Sequence, residues 1–146
     1  MARIAKALAT LREQVNAQWP NRSKANDGWI GNAAHQARKS DHNPNAAGVV
    51  QALDITHDPA HGLDAGKLAQ ALIDSRDPRI KYVISNRRIC ASYPTGGVAA
   101  WTWRPYHGAN AHEEHVHISV ADDPRKYDDA SAWSAVAACA GHAPPQ

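Results

Sequence analysis

The chain predicts an α+β fold, a small antiparallel sheet flanked by helices. Three observations carry this. Apolar residues recur at helical spacing near the start and again in the middle of the chain. Several short β-rich runs are bounded by turn formers. With 146 residues, no internal repeat and no linker-like stretch, the chain has length for one core and too little for two. We read residues 1–140 as a single domain and 141–146 as a flexible tail.

Ile4, Leu8, Leu11 and Val15 fall at spacings of three and four, which predicts an amphipathic helix over 2–17, ended before Pro20. Residues 21–31, with Asp27-Gly28, read as loop, followed by a short helical piece near 32–38. Residues 40–48 (Ser-Asp-His-Asn-Pro-Asn-Ala-Ala-Gly) are dense in turn formers, and Val49 to Thr56 reads as a strand. Asp58-Pro59 and Gly62 make another loop. Asp64 can cap a helix over 65–75, with Leu68, Leu72 and Ile73 facing inward. Ile80 to Ser85 is β-rich, Asn86-Arg87 a turn, and Ile89 to Ser92 the returning strand. After a loop tip at Thr95-Gly96-Gly97, strands are expected over 101–106 and 115–120. Asp128 to Ala138 reads as a closing helix capped by an acid.

Composition excludes several classes. At 43% hydrophobic and 21% charged, the chain can bury a core, so wholesale disorder is not expected. A net charge of +2 with interspersed signs gives no basic patch for a phosphate backbone. No run approaches the ~20 apolar residues of a membrane span. Arg3, Lys6, Arg12 and Glu13 break up any apolar stretch a secretion signal would need. The expectation is a monomer made in the cytoplasm, without membrane insertion. Phe is absent, so aromatic packing falls to Trp and Tyr, whose indole N–H and hydroxyl groups need partners. Cys90 and Cys139 form no Cys-x-x-Cys motif and read as two buried free thiols, with one disulfide as the alternative.

Nine histidines are many for this length, and they cluster with acids in 35–61 and 107–117. Ser40-Asp41-His42 and Ala52-Leu53-Asp54-Ile55 are answered by Glu114-His115-Val116-His117. Together they offer imidazoles and a carboxylate, the set of three protein groups a catalytic zinc needs with its fourth position open. A lone Asp late in a strand is usually a cap or an ion-pair partner, and a lone His-x-His is usually a hydrogen-bonded surface pair. Their combination in one small domain points to a metal centre. Alternation in 115–120 sends His115, His117 and Ser119 to one face and Val116, Ile118 and Val120 to the core. In 49–56, Asp54 shares its face with Val50 and Ala52, both small.

In this order, Ser40-Asp41-His42, Gly48, Asp54, Glu114 and His117 resemble the motif of the zinc D-Ala-D-Ala carboxypeptidase family, a branch of the group that includes lysostaphin-type enzymes and the hedgehog signalling domain. Asn21-Arg22-Ser23, Asp27-Gly28, Ser40–Pro44, His57-Asp58-Pro59, Asp77–Tyr82 and His115–Val120 look more narrowly like a phage and actinobacterial subgroup met as endolysin peptidase domains. The likeness covers roughly residues 21–120. The wider family separates its first His and its Asp by seven residues, whereas His42 and Asp54 are twelve apart, so a longer loop would wall the cleft.

The resemblance implies that His42, Asp54 and His117 bind zinc. It makes Glu114 the general base, although strict alternation would place Glu113 on the face of His117. It assigns His115 to oxyanion stabilisation, with an outer-shell hydrogen bond as the other role, and Ser40 to holding the substrate backbone. Arg38, Arg88 and Arg104 are candidate anchors for a substrate carboxylate. The implied activity is hydrolysis of peptidoglycan stem or cross-link peptides after release of the enzyme to the cell wall. Two other readings stand beside it: a wall-binding module with a structural zinc, and a ββα-metal nuclease suggested by Asp41-His42-Asn43-Pro44. The second lacks the downstream Asn and His spacing of such sites.

Overall fold

The computed structural model describes residues 2–29, 41–108 and 113–141. Helix α1 (Lys6–Gln18) buries Leu8, Leu11 and Val15 completely, the stripe its periodicity predicts. It starts later than expected because residues 3–5 spend their backbone groups elsewhere. Arg3 N bonds Gly48 O and Ala5 N bonds Val50 O, pairing strand β1 (Arg3–Ile4) in parallel with β2 (Val49–Val50). The expected strand over 49–56 is therefore two. At Gln51 the chain leaves β2 and enters β3 (Ala52–Thr56), which pairs with the main sheet.

A 3₁₀ turn (Pro59–His61) leads into helix α2 (Ala65–Ser75), whose bounds are those predicted. Asp64 Oδ1 accepts from Lys67 N at 3.1 Å, satisfying one of the first-turn donors the helix cannot satisfy itself. Strands β4 (Ile80–Ser85) and β5 (Arg88–Ala91) form a hairpin. Its two turn residues, Asn86 (φ 47°) and Arg87 (φ 65°), are both left-handed, the backbone a two-residue hairpin turn requires. Strands β6 (Trp103–Pro105) and β7 (His115–Val120) complete a sheet ordered β3-β7-β4-β5-β6, antiparallel throughout. The fold is thus α+β. Its core lies between one face of this sheet (Leu53, Ile55, Val83, Val116, Ile118), the helical residues Leu8, Leu68 and Leu72, and Trp133 from the segment before the last helix.

The closing helix expected over 128–138 is not what forms. Helix α3 (Pro124–Tyr127) is capped by Asp123, and α4 (Ser134–Cys139) begins only after Trp133. Between them the backbone is claimed by other partners. Asp128 bonds the Arg3 guanidinium at 2.6 Å, and Asp129 accepts from Ser131 N and Oγ, a local bond that competes with helix. Buried Arg79 takes the carbonyls of Asp129, Ser131 and Ala132, pairs with Asp77 and lies 3.9 Å from the Trp133 ring.

Trp133 is fully buried and donates its indole N–H to Ala7 O at 2.8 Å, and Trp103 donates to Gln70. Both cysteines are free thiols; Cys90 is buried, while Cys139 is only half-buried. Among the described residues no helix is long and apolar enough to cross a membrane. The expected helix near 32–38 and the tail after Gly141 lie outside the described residues.

Candidate metal centre

The site occupies the face of the sheet away from the core, and strand register builds it. Asp54 on β3 stands directly opposite His117 on β7, and Thr56 opposite His115. The parity that buries Leu53, Ile55, Val116 and Ile118 forces Asp54, His115, His117 and Ser119 onto the other face. β4 contributes by an irregularity. Ile80 pairs with Val120, but Tyr82 pairs with Ser119, so one extra residue is inserted at Lys81. Without this bulge Tyr82 would stand opposite Ile118 on the core face. With it, Tyr82 turns to the site and stacks on His117, ring centroids 5.5 Å apart and planes at 11°.

The third residue arrives from a loop. His42 Nε2 lies 3.3 Å from Asp54 Oδ2, and His117 Nδ1 lies 3.1 Å from Asp54 Oδ1. One ligand atom from each of His42, Asp54 and His117 falls within 4.8 Å of the other two, so this group can hold a metal ion. Zinc–ligand bonds of about 2.0–2.2 Å in a tetrahedron imply ligand separations of about 3.3–3.6 Å, near the two distances above, each of which runs to a different oxygen of Asp54. Each imidazole is also held from behind. His42 Nδ1 is 3.0 Å from the carbonyl of Trp29, which can only accept, so Nδ1 carries a proton and Nε2 is the nitrogen that would serve a metal; without one, Nε2 donates to Asp54. His117 Nε2 is 2.7 Å from Ser119 Oγ, which leaves Nδ1 for the centre. Such rear partners fix ring orientation and tautomer in metal-ligating histidines.

The residues around Asp27 brace this arrangement. Arg22, its side chain fully buried, binds Asp27 (2.6 and 2.9 Å) and Asn16. Asp27 in turn accepts from Thr56 N and Oγ. Gly28 exchanges both backbone bonds with Asp54, covering the free edge of β3 at the site itself.

Electrostatics follow from burial and proximity. Burial alone would raise the carboxyl of Asp54, but hydrogen bonds from His117 and His42 outweigh it and hold Asp54 far below the usual carboxylate range. Burial would lower His42, and Asp54 overcomes it, raising His42. His115, 3.6 Å from Asp54, is lowered mainly by burial, which favours a neutral ring. The Tyr82 hydroxyl is raised by burial and by nearby Asp41.

Among the described residues the metal-holding group has three members and does not include His115. β7 begins at His115, with a bend at Glu113 and Glu114 before it. Its carbonyl accepts from His57 N, and its carboxylate is exposed just before the strand. Glu113 is also exposed, with its carboxylate 2.6 Å from Arg87 Nε. Ser40, His112 and Arg38 lie outside the described residues. Arg88, on β5, rests 4.9 Å from the Trp103 ring, and Arg104 sits on β6, three strands from β7. Neither approaches the metal-holding group as closely in the sheet as Lys81 on β4. Sequence reasoning missed Tyr82 and Trp29. Ser119 was placed on the correct face, though without its role behind His117.

Comparison with family models, curated proteins and solved structures finds no match for this chain.

Proposed function

We propose that the protein is a zinc-dependent peptidase that hydrolyses peptide bonds of bacterial peptidoglycan, similar to the zinc D-Ala-D-Ala carboxypeptidases and the endolysin peptidases its motifs resemble. The observation that carries this reading is the His42–Asp54–His117 group, with one ligand atom from each within 4.8 Å of the others and the rear nitrogen of each imidazole already engaged. Three protein ligands with no fourth among the described residues suit a catalytic rather than a closed structural site. Two nitrogens and a carboxylate oxygen are donors zinc accepts readily.

When bound, zinc supplies Lewis acidity, acidifying water toward a pKa of about 7 and polarising the scissile carbonyl. His42 would hold the ion through Nε2 and His117 through Nδ1, with the Asp54 carboxylate as the third ligand. The Glu114 carboxylate takes a proton from the attacking water and delivers it to the leaving amine. His115, kept neutral by burial, offers a ring N–H to the oxygen on which charge develops. Ser40 holds the substrate backbone. Space lies at both ends of the polar row on β7. A cavity of about 380 Å³ adjoins His115, with His57, Asp64 and Glu113 in its wall, and another of about 410 Å³ adjoins Tyr82. The enzyme would act on the wall after release.

Digestion of purified cell wall, with muropeptides read by mass spectrometry, tests the proposal. New peptide termini should form with zinc, disappear with chelator and return when zinc is restored. Glu114→Ala should keep its zinc and lose turnover. A folded, zinc-loaded wild type that binds wall but releases nothing would make the protein a binding module instead.

A further inference from the structure

The bulge that turns Tyr82 toward His117 also brings Lys81 to the mouth of the 410 Å³ cavity. There Lys81 Nζ lies 3.0 and 3.2 Å from the two carboxylate oxygens of Asp41 and 5.5 Å from the Tyr82 ring centroid. Asp41 directly precedes His42, and Tyr82 stacks on His117, so two residues of the cavity wall neighbour candidate ligands of the centre. Two of the cavity's amides, Gln51 and Asn45, have partners elsewhere. Gln51 Nε2 donates to Asp122 at 2.8 Å, and the Asn45 side-chain oxygen accepts from Ala47 N and Val49 N. What the cavity offers a ligand is one ammonium and one carboxylate side by side, both part-exposed, over an aromatic floor.

We propose that this cavity is a substrate subsite for a zwitterionic α-amino-acid head group, with its carboxylate on Lys81 and its ammonium on Asp41. A lone anion drawn to Lys81 would meet the charge of Asp41, and a lone cation would meet Lys81. A group carrying both charges satisfies both partners and leaves neither unpaired. In a peptidoglycan stem, that head group is the free end of a diaminopimelate side chain, whose terminal carbon bears an ammonium and a carboxylate. Lysine at that position offers only the ammonium, and an amidated diaminopimelate lacks the carboxylate.

The subsite rests on the peptidase reading, and the test separates the two. Three stem peptides are prepared, identical except for diaminopimelate, its side-chain amide or lysine at the third residue. Calorimetry gives the Kd of each for zinc-loaded protein, and hydrolysis gives kcat and KM. The diaminopimelate peptide should bind about tenfold tighter or more than either analogue, as expected for a charge-assisted pair, with the difference in KM rather than kcat. Lys81→Met should remove the preference over the amide, read as equal Kd and equal KM for the two peptides. Asp41→Asn should remove discrimination that depends on the ammonium, read with an acetylated side-chain amine. Equal Kd values for the three peptides, binding of none, or a Lys81→Met loss equal for all would overturn the subsite. Selective binding without hydrolysis would uphold the subsite and reject the peptidase.

Discussion

Ser119 is the least conspicuous residue of the centre and gives a sharp prediction. It is fully buried, and its hydroxyl lies 2.7 Å from His117 Nε2 and faces the hydroxyl of Tyr82. Replacing it by Ala removes one oxygen, leaves the strand pairing intact and adds no volume. Loss of a neutral buried hydrogen bond should cost about 0.5–1.5 kcal/mol of stability, or up to about 3 if Nε2 is left without an acceptor. The larger effect should fall on the metal. Without its rear partner, His117 is free to rotate or to hold its proton on Nδ1, the nitrogen that faces Asp54. Outer-shell losses of this kind weaken metal affinity by about 10–100-fold, or about 1.4–2.7 kcal/mol. Competition with a chromophoric chelator measures that affinity, and circular dichroism confirms the fold. Zinc affinity within about twofold of wild type in a folded Ser119→Ala protein would refute the assignment of Nδ1 as ligand and Ser119 as its support.

Asp27→Asn should destabilise the protein by about 3–5 kcal/mol in denaturant unfolding at pH 7, because it leaves buried Arg22 without its counter-charge. Burial raises the Asp27 carboxyl, but Arg22 and Thr56 lower it further, so its folded pKa is depressed. Its contribution is therefore fully present above the usual aspartate value of about 3.9 and is lost as pH falls through the folded value, so wild type and variant should converge in acid. Arg79→Met should lower the thermal midpoint and expose the segment 128–133 to proteolysis, since Arg79 holds three of its carbonyls. Glu114→Gln should reduce kcat by about 10²-fold or more with zinc retained, whereas Glu113→Gln should change it by less than about fivefold. Similar losses in both would exchange or merge their roles.

Where structure is dictated locally, the sequence was readable. Asp64 caps α2 where predicted, the Asn86-Arg87 turn joins the hairpin, and β7 has the bounds and facing that its alternation implies. The outward facing of Asp54 and of His117 followed from both strands needing an apolar core face; their direct pairing is set by the register of β3 against β7. What escaped depends on distant partners. Asp128 to Trp133 has helical composition, yet Arg3 and Arg79 draw its polar groups away from helix. The extra residue at Lys81 leaves no local mark, and only the register of β4 against β7 reveals that Tyr82 faces the metal centre. The parallel pairing of β1 with β2 takes two residues from an otherwise regular helical periodicity. Arg22 and Asp27 were noticed as parts of a resemblance; their place behind β3 gives them a physical role in positioning Asp54.

His42, Asp54 and His117 are predicted to hold one metal ion between them. Elemental analysis of the folded protein after dialysis against zinc and then against metal-free buffer tests it most directly. One zinc per chain is predicted for the wild type, and none for a folded Asp54→Ala variant. A wild type that emerges without metal, or an Asp54→Ala protein that keeps its full complement, would contradict it.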